Sequence, residues 1–138
     1  LIGGHGRQRT LPLAARLADE WNCAFQSPVT YRDLNRTLDG LIEAERRNPA
    51  SVRRSVMTNI IYGQDQADLE GKVRARGSSL DEQRTRPIIV GAGDEIIPQL
   101  QAYQQAGVQR IMLQWLELDD LDGIASLAET ALPEFPTQ

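Results

Sequence analysis

A glycine-rich loop near the start of the sequence has the residue types best suited to ligand binding. Gly3-Gly4-His5-Gly6 follows the apolar pair Leu1-Ile2 and precedes a helical pattern. A loop between a strand and a helix can turn its backbone N–H groups toward an anion, and the helix dipole strengthens that attraction. Arg7 and Arg9 add positive charge beside it. The pattern favours a phosphate or similar group, while the alternative is a tight turn that needs glycine only for its conformation.

Three side chains outside the glycines are candidates for chemistry. His5, the only histidine, would either bond a ligand and exchange protons near neutral pH or lie exposed in the loop. Asn22, near the expected end of a strand, would either face the mouth of a barrel or pin a loop through its hydrogen bonds. Cys23 has no histidine near it in sequence and is interpreted as a small buried residue. With one Cys and one His in the sequence, we expect no metal site.

The last third of the sequence holds an acidic run and a tryptophan. We interpret Asp119-Asp120 and Asp122 as the start of the final helix, with one of the first two as its cap. Trp115 follows a strand and is either a core residue or a wall against a flat ring. Because side chains alternate along a strand, Gln114 and Trp115 point to opposite faces.

The composition is that of an ordinary globular protein. The 138 residues are 41% hydrophobic and 25% charged, and we expect one domain over residues 1–138. A net charge of −4 argues against binding to nucleic acid or an anionic membrane. No apolar run approaches the ~20 residues of a membrane span, and the single Cys23 fits a reducing cytoplasm. The opening Leu1-Ile2-Gly3-Gly4 lacks Met and a secretory leader, and it predicts a fragment cut at the end of a strand.

Hydrophobic periodicity predicts strands alternating with helices. The strands are expected at residues 1–2, 21–25, 53–61 and 108–116. The helices are expected from residue 7 or 10 to 19, from Thr30 to about 46, and at 66–76, 93–107 and 119–132. Residues 87–91 are either a strand or an extended lead into the next helix, and residues 78–86 are expected to be the most mobile.

Regular alternation of this kind predicts parallel strands joined by crossover helices. Four such units are half of a TIM (β/α)8 barrel, whose usual length is about 250 residues. The alternative is an independent open α/β sheet of four strands. Length alone does not separate these two architectures.

Several of these segments resemble the luciferase-like monooxygenase superfamily, and most closely its deazaflavin-dependent subgroup. The resemblance rests on the Gly3–Gly6 loop, on residues 11–19 (LPLAARLAD) followed by Trp21-Asn22, and on residues 99–114 (QLQAYQQAGVQRIMLQ). It implies that this chain is the C-terminal half of a (β/α)8 barrel. It also implies coenzyme F420 (a deazaflavin) or FMN at the mouth of the barrel.

In such relatives the glycine loop holds the cofactor phosphate, which carries over to Gly3, Gly4 and Gly6. His5 stands where the family usually has a small residue, and Arg7 and Asn22 would lie around the cofactor. No catalytic residue maps onto the sequence. The resemblance implies an oxidoreductase with a small-molecule substrate. The alternatives are a non-catalytic half-barrel that forms a homodimer and an unrelated α/β domain that binds phosphate ligands.

Overall fold

The computed structural model describes residues 1–135 and divides the chain into two compact units. The first unit contains Leu1–Thr58 and Ala102–Met112, and the second contains Asn59–Gln101 and the described residues from Leu113 onward. The expected single domain of residues 1–138 stays a prediction, and its last three residues lie outside the described part.

Strands and helices alternate along the chain. The strands are β1 (Ile2–Gly3), β2 (Glu20–Ala24), β3 (Arg53–Gly63), β4 (Ile89–Ala92) and β5 (Arg110–Gln114). The helices are α1 (Thr10–Leu17), α2 (Pro28–Ala44), α3 (Gln66–Ala75), α4 (Leu80–Arg84), α5 (Ile97–Gln105) and α6 (Leu121–Ala131). Short 3-10 turns lie at Pro49–Ser51, Gly93–Ile96 and Leu132–Glu134.

The sheet has the parallel pairing that the alternation predicted. β1 pairs with β2 and β2 with β3, both in parallel, and β5 pairs with β3. The four expected strands are therefore consecutive neighbours in the order β1-β2-β3-β5. β4 is an additional strand that pairs in parallel with the distal part of β3, from Ile60 to Gly63. The α/β class with parallel β/α units is confirmed.

In the first unit, α2 packs on one face of the strands. The rings of Trp21 in β2 and Tyr31 in α2 lie 5.2 Å apart and both side chains are fully buried. Trp21 Nε1 also donates to the carbonyl oxygen of Gly4 at 2.8 Å. Arg54 of β3 is buried and donates to Asn35 Oδ1 and Asp39 Oδ1 of α2. These contacts pack β2 and β3 against α2, and Trp21 also holds the loop that follows β1.

In the second unit, the distal part of β3 packs against α3. Ile61, Leu69, Val73 and Val90 form a buried apolar cluster. Gly63 allows the close approach, since a Cβ there would lie 2.5 Å from the backbone N of Leu69. The glycine at the end of β3 therefore determines how closely α3 can pack against that strand.

The start of α2 differs from its prediction. α2 begins at Pro28 rather than Thr30, because Ser27 is the N-cap and its Oγ accepts from the Thr30 N–H at 3.2 Å. Residues 80–84, inside the segment expected to be the most mobile, form α4 with Ser79 as its N-cap. The mobility of that segment stays a prediction.

Candidate functional site

The glycine loop follows the carboxyl end of β1, where barrel enzymes bind their ligands. Gly4 has a φ of +118°, a conformation that L side chains rarely adopt. Its N–H donates to the carbonyl oxygen of Asn22 at 2.8 Å and continues the pairing of β1 with β2. The Gly4 amide is therefore used within the sheet and is not a donor for a ligand.

The free amides of the loop belong to the next two residues. Within residues 1–135, no protein acceptor receives the backbone N–H of His5 or Gly6. A Cβ at Gly6 would lie 3.1 Å from Thr10 Oγ1, so the loop passes close to the first residue of α1. Two free amides beside a helix start suit an anionic group better than a cation or an apolar ring. His5 itself is exposed.

Arg7 is exposed, and its guanidinium is already held by α2. Arg7 Nη1 donates to Thr37 Oγ1 at 2.7 Å. Arg9 occupies the N-cap position of α1 and makes no side-chain cap hydrogen bond. The sequence places the positive charge of Arg7 next to the loop, but in the structure the Arg7 guanidinium is hydrogen-bonded to α2.

Asn22 lies in the middle of β2 rather than at its end. It is 7% exposed, and its Nδ2 donates to Ser55 Oγ of β3 at 3.1 Å. Ser55 Oγ in turn donates to the carbonyl oxygen of Trp21 at 3.2 Å. The structure thus gives Asn22 a role in joining two strands, and its role as a cofactor ligand stays a prediction.

The face of the sheet that carries Asn22 is polar. Trp21 points toward α2, so by alternation Glu20 and Asn22 point away from that helix. On this face Arg110 Nη1 of β5 pairs with Glu20 Oε2 at 3.1 Å. Barrel interiors are usually filled by branched apolar side chains. This face instead carries the Arg110–Glu20 ion pair and the hydrogen bond between Asn22 and Ser55.

A charged cluster in the second unit was not predicted from the sequence. Lys72 of α3 is the only lysine in the sequence, and its side chain is 12% exposed. Its Nζ lies 2.6 Å from Asp120 Oδ2 and 2.9 Å from Asp68 Oδ2. It also donates to the carbonyl oxygen of Tyr62 at 2.9 Å and lies 5.4 Å from the ring centroid of Trp115.

The cluster shifts the pKa of its members in the directions that ion pairing dictates. Burial acts to lower the pKa of Lys72, but the hydrogen bonds that its Nζ donates to Asp120 and Asp68 outweigh burial and raise it. The hydrogen bond from Lys72, and then that from the Gly123 N–H, lower the pKa of Asp120. Every polar contact of Lys72 is made within the protein, so the cluster fastens α3 to the start of α6. Of this cluster, the sequence indicated only Asp120, which was interpreted as a possible cap of the last helix and is its N-cap in the structure.

The side chains of Trp115 and Cys23 are both packed within the protein. Trp115 is half-buried, and its Nε1 donates to the carbonyl oxygen of Glu117 at 2.7 Å. With Lys72 over its ring, Trp115 is part of the charged cluster. Cys23 is fully buried, and burial raises the pKa of its thiol to about 12. Such a thiol is unsuited to nucleophilic catalysis near neutral pH.

Comparison with solved structures identifies enzymes of the same architecture. The coenzyme F420-dependent tetrahydromethanopterin reductase of Methanopyrus kandleri matches with a TM-score of 0.73 and 15% identity, over 96% of this chain and 50% of that one. A long-chain alkane monooxygenase matches at 0.69 and 14% identity, over 92% and 38%. This chain shares their fold.

A riboflavin lyase solved with modified FMN and riboflavin matches with a TM-score of 0.72 and 12% identity, over 96% of this chain and 41% of that one. The chain therefore spans half or less of the length of these enzymes. They are built on TIM barrels, so the predicted half-barrel fold is confirmed. No family model and no curated protein matches the sequence. Within residues 1–135, no helix is both long and apolar enough to cross a membrane.

Proposed function

We propose that this chain is the C-terminal half-barrel of a luciferase-like oxidoreductase or monooxygenase that uses coenzyme F420 or FMN. The observation that carries the proposal is the fold similarity, over 96% of the chain, to one enzyme whose name includes coenzyme F420 and to another solved with modified FMN. A cytoplasmic enzyme acting on a small molecule is part of the same proposal.

The loop after β1 would receive the phosphate of the cofactor. This role is supported by the backbone N–H groups of His5 and Gly6, which have no acceptor within the described residues and lie next to the N-terminus of α1. Gly3 and Gly4 shape the loop, and Gly4 does so while its own N–H bonds Asn22. Arg7 would contribute charge after leaving Thr37, and Asn22 would support the strands beneath.

The bound cofactor would supply hydride or oxygen chemistry, and the protein would orient and shield it. The residues of this chain would hold its anionic end and exclude water from part of its surface. No acid or base is assigned, because the ionisable cluster around Lys72 has all of its contacts within the protein.

The test is a fluorescence and absorbance titration with F420, FMN and riboflavin. It should be made on this chain alone and on the chain joined to a complementary half-barrel from the matched reductase. FMN and riboflavin differ only in the phosphate, so we expect the completed barrel to bind FMN at least tenfold more tightly, since charge-assisted hydrogen bonds to a phosphate contribute about 1.5–3 kcal/mol.

Gly6→Ala should remove most of that preference by crowding the loop against Thr10, while Gly40→Ala, on an open face of α2, should leave it intact. Equal affinity for FMN and riboflavin would reject the phosphate loop. A folded, completed barrel that binds neither F420 nor FMN would reject the proposed function. Equal binding of simple phosphate esters would favour the alternative, a general phosphate-binding domain.

A further inference from the structure

Asn59 of β3 carries a buried polar atom that the protein itself does not use. Its Oδ1 is buried and has no hydrogen-bond partner, and within residues 1–135 its carboxamide nitrogen has none either. The observation therefore holds whichever of the two atoms is the oxygen. Because an unpaired buried acceptor destabilises a folded protein, such a group calls for an explanation, and a donor on a ligand would provide one.

Asn59 lies on the polar face of the sheet, toward the carboxyl end of β3 at Gly63. Arg54 points toward α2, so alternation along the strand turns Ser55 and Asn59 to the opposite face. This is the face on which Ser55 bonds Asn22. In a barrel the face opposite the helices is the interior, and barrel enzymes bind their ligands at the carboxyl ends of the strands.

Gln114 of β5 brings a second free carboxamide beside Asn59. The backbone N–H of Gln109 donates to the carbonyl oxygen of Arg54 at 2.8 Å, and β5 pairs with β3 beyond this contact. The same distance along both strands leads from Arg54 to Asn59 and from Gln109 to Gln114. Alternation from Arg110, which pairs with Glu20 on the polar face, places Gln114 on that face as well.

Both carboxamides are free to bind a ligand within one compact unit. Gln114 is exposed, and its side chain has no hydrogen-bond partner in the described part of the chain. Asn59 and Gln114 both belong to the second unit. Each side chain offers one acceptor oxygen and two donor hydrogens. Together they can bind a ligand edge that has both donors and acceptors.

The pyrimidine ring of flavins and 5-deazaflavins has such an edge. Its N3–H donor lies between two carbonyl acceptors, C2=O and C4=O. One carboxamide oxygen satisfies the N3–H, and the carboxamide N–H groups satisfy a carbonyl on either side. A cation would use only the two oxygens, and an apolar group would leave all of these atoms unpaired.

We propose that Asn59 and Gln114 bind the N3–H edge of the flavin or deazaflavin ring. Asn59 Oδ1 accepts from N3–H, and the Gln114 amide donates to a carbonyl next to it. This inference rests on the proposed cofactor class but does not involve the glycine loop. It gives the two free carboxamides a role in recognising the ring, which no residue of this chain had been assigned.

The test compares riboflavin with 3-methylriboflavin, which lacks the N3–H, by fluorescence titration of the full chain joined to the complementary half-barrel. Neither ligand carries a phosphate, so the comparison is independent of the glycine loop. The wild type should bind riboflavin about tenfold more tightly, the factor that one hydrogen bond can contribute. Asn59→Ala removes the acceptor and leaves room for the methyl group, so the two affinities should then agree within about twofold.

Three further variants separate the two carboxamides. Asn59→Asp keeps an acceptor and should keep the preference for riboflavin. Gln114→Leu should weaken the binding of both ligands by roughly three- to tenfold with their ratio unchanged, because both ligands retain the carbonyls. The matched control Gln101→Leu removes a carboxamide from α5 and should change neither affinity.

The outcomes distinguish this inference from the proposed function. Circular dichroism establishes that each variant is folded. A folded Asn59→Ala variant that keeps the tenfold preference, or a wild type that binds both flavins equally, would overturn the role of Asn59 and leave the proposed function standing. A folded, completed barrel that binds neither F420 nor any of the flavins would reject the proposed function and this inference together.

Discussion

Replacing Lys72 with Met tests the energetic role of the charged cluster in the second unit. Methionine keeps most of the apolar stem and removes the three hydrogen bonds of Nζ to Asp68, Asp120 and Tyr62. Breaking a fully buried ion pair costs about 3–5 kcal/mol. The carboxylates of Asp68 and Asp120 are 35% and 26% exposed, so water can rehydrate them after the change. We therefore expect a loss of about 2–3 kcal/mol at pH 7.

The measurement is urea unfolding followed by tryptophan fluorescence and by circular dichroism. With an m-value of about 2 kcal/mol/M, Lys72→Met should lower the midpoint by roughly 1–1.5 M. Lys72→Arg, which keeps the positive charge, should recover part of the loss. A midpoint for Lys72→Met within about 0.2 M of the wild type would refute the reasoning.

The dependence on pH provides a second readout of the same variant. The lowered pKa of Asp120 gives stability that is fully present above its unfolded pKa near 3.8 and is lost as the pH falls through the folded value. The raised pKa of Lys72 gives stability that is fully present below 10.5 and is lost as the pH rises through the folded value. Between these two pH limits the ion pair contributes a constant amount to the free energy of unfolding of the wild type. Lys72→Met should show a smaller loss of stability in both arms, and an unchanged acid arm would contradict the assigned pair.

Two further predictions concern packing and reactivity. Gly63→Ala should destabilise the protein by about 1–3 kcal/mol in urea unfolding, because the new Cβ would lie 2.6 Å from the carbonyl oxygen of Asp65. Gly71→Ala, in the open middle of α3, is the matched control and should be neutral or stabilising, so equal losses would contradict the packing argument. Cys23, with its pKa near 12, should react with a disulfide reagent at pH 8 far more slowly in the native than in the urea-unfolded protein. Fast native labelling would show that the thiol is not buried.

The order of strands and helices was predictable because it depends on local periodicity. Trp21, Val56 and Ile111 lie in apolar runs bounded by turn residues, and such runs mark buried strands in any sequence. The helix expected to end at residue 107 ends at Gln105, and Gly107 just beyond it has a φ of +96°, as glycines that follow helices often do. The start of α2 was missed by two residues, because a serine cap at Ser27 and a threonine cap at Thr30 have the same local signature.

The candidate site was less predictable because it depends on which groups the fold has already used. The sequence shows that Gly4 can adopt an unusual φ, but only the pairing with β2 shows that its N–H already bonds Asn22. Likewise, nothing local distinguishes Lys72 from a solvated helix residue. Its partner Asp120 lies 48 residues away in sequence and reaches it only because both α3 and α6 pack in the same unit.

The exposed apolar residues of α6 show a limit of periodicity as a guide to the core. Leu121, Ile124 and Leu127 recur at helical spacing, which predicts a helix but not which of its sides is buried. In the structure the hydroxyl of Tyr62 requires polar partners, and Ser126 and Thr130 turn toward it, with Leu127 as the buried apolar contact. On the same helix Leu121 and Ile124 are exposed. A Tyr62→Phe variant leaves Ser126 and Thr130 without this hydroxyl, so we expect it to keep the fold and to lose about 0.5–1.5 kcal/mol in urea unfolding. An unchanged unfolding midpoint would show that these two hydrogen bonds do not help to hold α6.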